Sequence, residues 1–168
     1  NYNLDFIYGR QYQSTIEWRD ELSQIISLEA PHLSLYQLTI EEKTNFHKLF
    51  KNGLLKGLPT HKTVSCMFDV TKQLCKNNSY KQYETSNFAR KGFECRHNIS
   101  YWKYNDYIGV GPGAHGRVTM SGKRYAIEEE KNPYIWFKKT VSMNPGTPKV
   151  NPIENNAVLE EKLIMNLR

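Results

Sequence analysis

The residues best suited to chemistry lie in one stretch, from Tyr83 to Gly116. It holds Cys95, His97 and His115, together with Trp102 and several tyrosines, and it ends in a glycine-rich run. Thiol and imidazole groups are the usual protein ligands of zinc and of haem iron. Glycines let the backbone approach a ligand closely, and aromatic rings offer flat apolar faces. This mixture predicts a ligand-binding wall.

The cysteine and histidine of this stretch favour haem iron over a dedicated metal site. Cys95 and His97 do not have the spacing of a zinc site, whereas haem iron needs only one or two axial ligands inside an aromatic pocket. His97 with Cys95, Tyr101 and Trp102 supplies such a set. Composition alone favours a structural alternative, in which His97 and Asn98 hydrogen-bond the loop backbone while Tyr101 and Trp102 pack in the core.

The glycine-rich run, GVGPGAHG at 109–116, has two interpretations. Its backbone could cradle a phosphate or let a small ligand lie against bare peptide groups. It lacks the lysine of a P-loop and precedes a predicted hairpin rather than a helix, which argues against a dinucleotide fingerprint. A tight turn is the alternative.

The elements that must position these residues alternate in the first half of the chain. Short runs rich in strand formers at 4–8, 32–40 and 80–84 predict three strands. Apolar residues at helical spacing after the Ser14–Glu17 capping box, and again from Val64 to Cys75, predict a helix between each pair of strands. Alternation of this kind is typical of an α/β fold with a parallel sheet.

Two polar residues interrupt the predicted strands. Asp5 lies within an apolar run, and a carboxylate there must be paired or face a ligand because its burial alone is costly. Gln37 lies within the second strand, and strand alternation places it on the face of Leu33 and Leu35. We expect Gln37 to point into a barrel lumen.

The second half of the chain is predicted to form an appendage to this sheet. A Ser121-Gly122 turn predicts a hairpin over 117–127, and Asn132 before Pro133 predicts a capped helix. Three prolines and a glycine at 144–156 predict a linker. The predicted domains are therefore 1–143, a linker at 144–156, and the start of a further domain at 157–168.

Composition narrows the class of partner. Lys and Arg total 23 against 17 Asp and Glu, a net charge of +6, but the positive residues are scattered. This pattern favours a solvated surface over a nucleic-acid interface. Three cysteines without a C-x-x-C pair fit a reducing compartment, and no apolar run reaches the roughly 20 residues of a membrane helix. Because the sequence starts without Met and stops within a predicted helix, we expect an internal fragment.

Five segments, taken in order, resemble successive motifs of one family, the HemW-type radical S-adenosylmethionine (SAM) proteins. These are haem chaperones related to oxygen-independent coproporphyrinogen III oxidase. The motifs are LDFIYG at 4–9, LSLYQLTIE at 33–41, YETSNFAR at 83–90, CRHNISYW at 95–102 and the glycine-rich run. The H-N-x-x-Y-W pattern resembles the chaperone branch rather than the oxidase branch.

The resemblance implies a fold and a set of ligands. The fold is α/β, the C-terminal part of a radical SAM partial (β/α)₆ barrel with a hairpin appendage and the start of a C-terminal helical domain. The intact protein is expected to hold SAM and a [4Fe–4S] cluster and to bind haem or porphyrin. The residues expected on the SAM side are Asp5, Gln37, Gly111, Gly113, Ala114 and His115. His97 is the candidate ligand of haem iron, and the other candidate haem contacts are Cys95, Asn98, Tyr101 and Trp102.

Two departures limit what the resemblance implies. The first motif continues as Arg10-Gln11-Tyr12-Gln13-Ser14, where the family usually has Leu-Pro-x-Gln-Thr. The cluster-binding C-x-x-x-C-x-x-C motif does not occur between Asn1 and Arg168. This polypeptide alone is therefore expected neither to assemble the cluster nor to cleave SAM.

Three functions follow as hypotheses. The first is a cytoplasmic haem chaperone that hands haem to respiratory proteins, with peripheral attachment to the membrane left open. The second is an oxygen-independent coproporphyrinogen III oxidase of porphyrin biosynthesis. The third is a non-catalytic module that binds anionic partners.

Overall fold

The structure is a computed structural model that describes residues 2–142 and 148–167. The chain divides into two compact units, one ending at Cys95 and the other beginning at Arg96. The first unit contains β1 (Asn3–Tyr8), α1 (Thr15–Ser27), β2 (His32–Gln37), α2 (Asn45–Lys51), α3 (His61–Asn77), β3 (Lys81–Gln82) and β4 (Asn87–Ala89). The second contains α4 (Arg96–Trp102), β5 (His115–Met120), β6 (Lys123–Glu128), α5 (Pro133–Val141), β7 (Lys149–Pro152) and α6 (Asn155–Asn166).

The sheet of the first unit has the order β1-β2-β4-β3. The crossover through α1 makes β1 and β2 parallel, as predicted, with Asn3 opposite His32 and Tyr8 opposite Gln37. The prediction of a wholly parallel sheet is wrong beyond β2, because β4 runs antiparallel to β2 and to β3. The reason is a tight turn. The Tyr83 N–H donates a hydrogen bond to the Asn87 carbonyl at 3.1 Å, so β3 and β4 form a short hairpin.

Helix α1 forms as the sequence predicts. The Ser14 side chain accepts the Glu17 N–H, and the Glu17 carboxylate accepts the Ser14 N–H, which completes the capping box. The helix buries one stripe of side chains, Trp18, Leu22, Ile25 and Ile26.

The loop before α1, which departs from the family pattern, is held by its own polar residues. The Gln13 carbonyl oxygen accepts the Gly9 N–H at 2.8 Å, and its amide donates to Glu21 at 3.0 Å. Arg10 pairs with the same Glu21 carboxylate at 2.6 Å.

The core of the first unit lies between the sheet and its two long helices. Leu33, Leu35 and Phe88 pack from the sheet against the buried stripe of α1 and against Met67 of α3. The Trp18 indole N–H donates to Thr71 Oγ1 at 2.8 Å, which joins α1 to α3 across this core. Alternation along β1 and β2 puts Asn3, Asp5, Ile7 and Tyr36 on the opposite face of the sheet, where they are exposed; we call this the open face.

The second unit is built on a three-stranded antiparallel sheet in the order β5-β6-β7. The predicted hairpin is confirmed: Ser121 and Gly122 both have positive φ, 48° and 76°, as a two-residue hairpin turn requires. Asn132 caps α5 by accepting the N–H groups of Tyr134 and Ile135, also as predicted.

The predicted domain boundaries differ from the two compact units. Residues 149–152 fall in the predicted linker, but they form β7 and pair with β6 along 125–128. The start of that linker, at 144–147, lies outside the described residues. The assignment of 157–168 to a further domain stays a prediction. No helix among the described residues is both long and apolar enough to cross a bilayer.

Candidate functional site

The candidate haem residues lie on and next to α4, a short helix that the sequence analysis did not predict. His97 stands in the first turn with an exposed side chain. Tyr101 follows one turn later on the same face, and the two rings meet edge to face with centroids 4.8 Å apart. The centroids of the Tyr101 and Tyr107 rings lie 4.3 Å apart. An exposed imidazole beside two phenol rings is therefore the geometry of this motif.

The structural alternative for this stretch fails for His97 and Tyr101. His97 is exposed on a helix rather than buried in a loop, and Tyr101 is only half-buried, as are Asn98 and Trp102. Cys95, the last residue of the first unit, is partly exposed and its backbone N–H lies 3.3 Å from the Tyr83 hydroxyl oxygen.

The glycine-rich run folds back on itself in a tight turn. A side chain at Gly109 would collide with the His115 carbonyl at 2.3 Å, and Gly111 and Gly113 have positive φ of 111° and 71°. The Gly113 N–H bonds the Glu130 carbonyl at 2.8 Å, and the Ala114 N–H bonds the Gly111 carbonyl at 3.1 Å.

These bonds weigh against the phosphate interpretation of the run. The N–H groups of Gly113 and Ala114 already have backbone acceptors, so they are not available to cradle a phosphate. Gly111 faces open space, and the exposed His115 begins β5. A role of this segment on the SAM side stays a prediction.

Asp5 lies on the open face of the first-unit sheet. The strand alternates between exposed and half-buried residues, and Asp5 is exposed. One of its carboxylate oxygens accepts the Asn3 amide N–H at 2.6 Å. An exposed carboxylate at a sheet face can accept hydrogen bonds from hydroxyl or ammonium groups of a ligand.

Gln37 lies at the carboxyl end of β2 and is exposed. Alternation from the buried Leu33 and Leu35 puts it on the face that the helices cover. In the β1–β2 register Asp5 lies opposite Ser34, whose side chain is on the other face of β2 from that of Gln37. The structure therefore does not bring Gln37 to the open face on which Asp5 lies.

Asp5 belongs to a hydrogen-bonded group whose buried polar residues the sequence analysis missed. His32, Ser34, Glu84 and Asn87 are each less than about a tenth exposed. His32 Nδ1 lies 2.6 Å from Asn3 Oδ1, and its Nε2 lies 2.7 Å from the Tyr83 hydroxyl. Burial lowers the pKa of His32, against the opposing effect of the Asp5 and Glu94 carboxylates. Polar residues at alternate positions of β2 were the available signal.

The cysteines do not fit an iron–sulfur cluster. Cys66 is exposed on α3, Cys75 is buried in the core with its thiol pKa raised to about 12 by desolvation, and Cys95 lies after β4. In residues 2–142 and 148–167, no three His, Cys, Asp or Glu side chains are grouped to hold a metal ion. The described part of the chain therefore supplies no cluster site.

Comparison with known proteins gives a consistent set of relatives. No family model matches the chain. The zebrafish protein named "Radical S-adenosyl methionine domain-containing protein 1, mitochondrial" is 34% identical over 170 residues, 99% of this chain and 38% of its own length. The Escherichia coli K12 protein named "Heme chaperone HemW" is 43% identical over 124 residues, 74% of this chain and 32% of its own length. The chain is homologous to the HemW-type radical SAM proteins.

Homology to HemW-type proteins agrees with the resemblance found in the motifs. The solved structure of coproporphyrinogen III oxidase (HemN) from E. coli, described as a radical SAM enzyme, superposes with a TM-score of 0.73. The match covers 98% of this chain and 39% of that protein. Because the sequence identity is 15%, the match supports only the fold. The predicted fold class is confirmed. The chain spans less than half the length of each of these relatives.

Proposed function

We propose that this chain forms part of a haem chaperone in which His97 contacts the haem iron. The observation that carries the proposal is the exposed His97 imidazole, whose ring meets the edge of Tyr101 on α4. It occurs within the Cys-Arg-His-Asn-Ile-Ser-Tyr-Trp motif of a chain homologous to proteins named heme chaperones.

The residues of α4 have separate roles in this proposal. A neutral imidazole nitrogen of His97 donates its lone pair to iron, and haem needs no more than one or two such ligands. The edge contact with Tyr101 restricts the orientation of the His97 ring. The rings of Tyr101 and Tyr107 offer an apolar surface to the porphyrin face. An exposed site suits a carrier, because the ligand must be able to leave for another protein.

The open face of the first-unit sheet is the second part of the proposal. Asp5 is the residue that the resemblance assigns to SAM, and its exposed carboxylate fits a ligand with hydroxyl and ammonium groups. The intact gene product would hold SAM and a [4Fe–4S] cluster, for which the described cysteines are not grouped. Delivery of haem to respiratory proteins in the cytoplasm belongs to the same proposal.

Haem titration tests the first part directly. The chain is titrated with haem while the Soret band is recorded, in wild type and in His97→Ala. The expected result is a dissociation constant at least about tenfold higher in the variant, equivalent to about 1.4 kcal/mol. His61→Ala is the matched control, since His61 is an exposed histidine in the first turn of α3. An unchanged Soret band and affinity in His97→Ala would remove His97 from the proposal.

Coproporphyrinogen oxidation is the competing function, because the fold matches that of HemN. The deciding experiment uses the natural gene product, reconstituted anaerobically with iron and sulfide and supplied with SAM, a low-potential reductant and an electron acceptor. Conversion of coproporphyrinogen III to protoporphyrinogen, with release of carbon dioxide, would favour the oxidase. Haem binding without such conversion is the result that the chaperone proposal predicts.

A further inference from the structure

A chain of hydrogen bonds crosses the open face of the first-unit sheet. The direction from donor to acceptor along this chain is fixed from two sides. We call Glu84, Asn87, Ser34, Asn3, Asp5, His32 and Tyr83 the polar relay. Two carboxylates, Glu84 and Asp5, belong to it, and a carboxylate oxygen accepts hydrogen bonds without donating. The direction of every other bond follows from these two acceptors.

The direction can be followed first from the Glu84 end. Glu84 Oε1 accepts the Asn87 amide N–H at 2.6 Å, so the Asn87 oxygen is free to accept. The Ser34 hydroxyl donates its single proton to that oxygen at 3.1 Å, which is closer than its other acceptor, Asn3 Oδ1, at 3.3 Å. Ser34 Oγ therefore accepts from Asn3 Nδ2, which lies 3.0 Å away.

The same orientation of Asn3 follows independently from Asp5. Asn3 Nδ2 donates its other hydrogen to Asp5 Oδ1 at 2.6 Å. The Asn3 amide oxygen therefore faces His32 Nδ1, at 2.6 Å. An amide oxygen only accepts, so His32 must carry its proton on Nδ1.

The tautomer of His32 fixes the remaining bonds. With the proton on Nδ1, Nε2 has a lone pair, and the Tyr83 hydroxyl donates to it at 2.7 Å. The Tyr83 oxygen in turn accepts the Cys95 backbone N–H at 3.3 Å. The relay thus runs from the Cys95 backbone to the Asp5 carboxylate, with His32 in the middle.

We propose that His32 is a positioning residue which, as the Nδ1–H tautomer, orients Asn3 onto the Asp5 carboxylate and links that carboxylate to the backbone at Cys95. The relay itself follows from the contacts alone, whereas its consequence for ligand binding rests on the proposed function, in which Asp5 binds SAM. His32 is 6% exposed and sits opposite Asn3 in the β1–β2 register.

The physical effect of His32 is to exclude one rotamer of Asn3. A rotation of the Asn3 amide by 180° would bring its oxygen towards the Asp5 carboxylate and its NH₂ group towards His32. The Nδ1–H of His32 opposes this flip, because two donors would then face each other at 2.6 Å. Without that donor, Asn3 is oriented only by its contacts with Asp5 and Ser34, so the flip costs less and Asp5 has a less rigid partner.

The first test is the tautomer itself, measured on this chain without cofactors. Imidazole ¹⁵N shifts at pH 7.5 should show His32 as an Nδ1–H ring. In Tyr83→Phe, the Nε2 signal should shift because its donor is removed. Tyr36→Phe is the matched control, since Tyr36 lies on the same face of β2 and is 43% exposed, and it should leave His32 unchanged. An Nε2–H ring in wild type would overturn the proposal.

The second test measures SAM affinity in the natural gene product reconstituted with its cluster. His32→Leu removes the donor to Asn3, and we expect SAM to bind about tenfold more weakly, as is usual when a supporting partner of a ligand-binding residue is lost. His32→Asn offers an amide donor near the Nδ1 position, and affinity should recover to within about threefold of wild type.

The outcomes separate the two proposals. Equal SAM affinity in wild type and His32→Leu would overturn the positioning role, provided that circular dichroism shows both proteins folded. If His32→Leu does not fold, the ¹⁵N shifts of His32 in Tyr83→Phe and the ¹⁵N shift of the Asn3 side-chain amide in His32→Asn decide the question. If the wild-type gene product binds no SAM, the proposed function fails, while the tautomer measurement still decides whether the relay exists.

Discussion

Replacing Thr71 by Val should destabilise the first unit, chiefly because the buried Trp18 indole loses its hydrogen-bond acceptor. Thr71 is 1% exposed, and its hydroxyl oxygen accepts the indole N–H of Trp18, which is fully buried. Val has nearly the same shape, so the main loss is the acceptor for a buried donor. Leaving such a donor unsatisfied costs about 1–3 kcal/mol. The Met67 carbonyl, which accepts the Thr71 hydroxyl, belongs to α3 and loses a second donor.

Urea unfolding followed by circular dichroism measures this cost. With a denaturant slope of about 2 kcal/mol/M, a loss of about 2 kcal/mol lowers the midpoint by about 1 M. The decisive comparison is the same substitution in a Trp18→Phe background, where no indole N–H is left to be orphaned. There Thr71→Val should cost less than about 0.5 kcal/mol. An equal cost in both backgrounds would show that the Trp18–Thr71 hydrogen bond is not the source of the destabilisation.

Three further predictions concern other groups of the chain. Because burial raises the pKa of Cys75 to about 12, a thiol reagent at pH 8 should modify the exposed Cys66 quickly and Cys75 only on unfolding, as mass spectrometry of digested protein would show. Burial also lowers the pKa of His32 in the folded chain, so the free energy of unfolding should be constant above about pH 6.5 and fall as the pH drops below it. The urea midpoints at pH 7.5 and pH 5.5 should therefore differ less in His32→Asn than in wild type. Glu161→Gln weakens a partly buried pair with Arg117 at 2.9 Å and should lower the unfolding free energy of the second unit by about 1 kcal/mol, whereas a change below the error of a urea melt would contradict this.

Local signals in the sequence were sufficient for the elements that begin or turn at specific residues. The Ser14–Glu17 capping box, the Asn132 cap and the Ser121-Gly122 turn each act within a few residues of the chain, and all three form as predicted. The direction of β4 could not be predicted in this way. It depends on the turn after Tyr83 and on pairing with a strand more than 50 residues earlier.

The candidate site was predictable in its residue types but not in its arrangement. The motif identified His97 and Tyr101, and the structure adds the helix that brings their rings together. Gln37 lies on the face of Leu33 and Leu35 as predicted, but the sequence could not show that the helices cover this face, because that is a tertiary property. The environment of Asp5 was missed for the same reason, since it joins residues from three strands and a turn.

The ligand of haem iron is the most direct test of the proposed function. Resonance Raman spectra of the reduced haem complex report an iron–histidine stretch, and we expect this band to be present in wild type and absent in His97→Ala. Added imidazole should restore an iron–imidazole band in the variant, since it fills the position that the lost side chain occupied. An iron–histidine band that persists in His97→Ala would contradict the assignment of His97 as the haem contact.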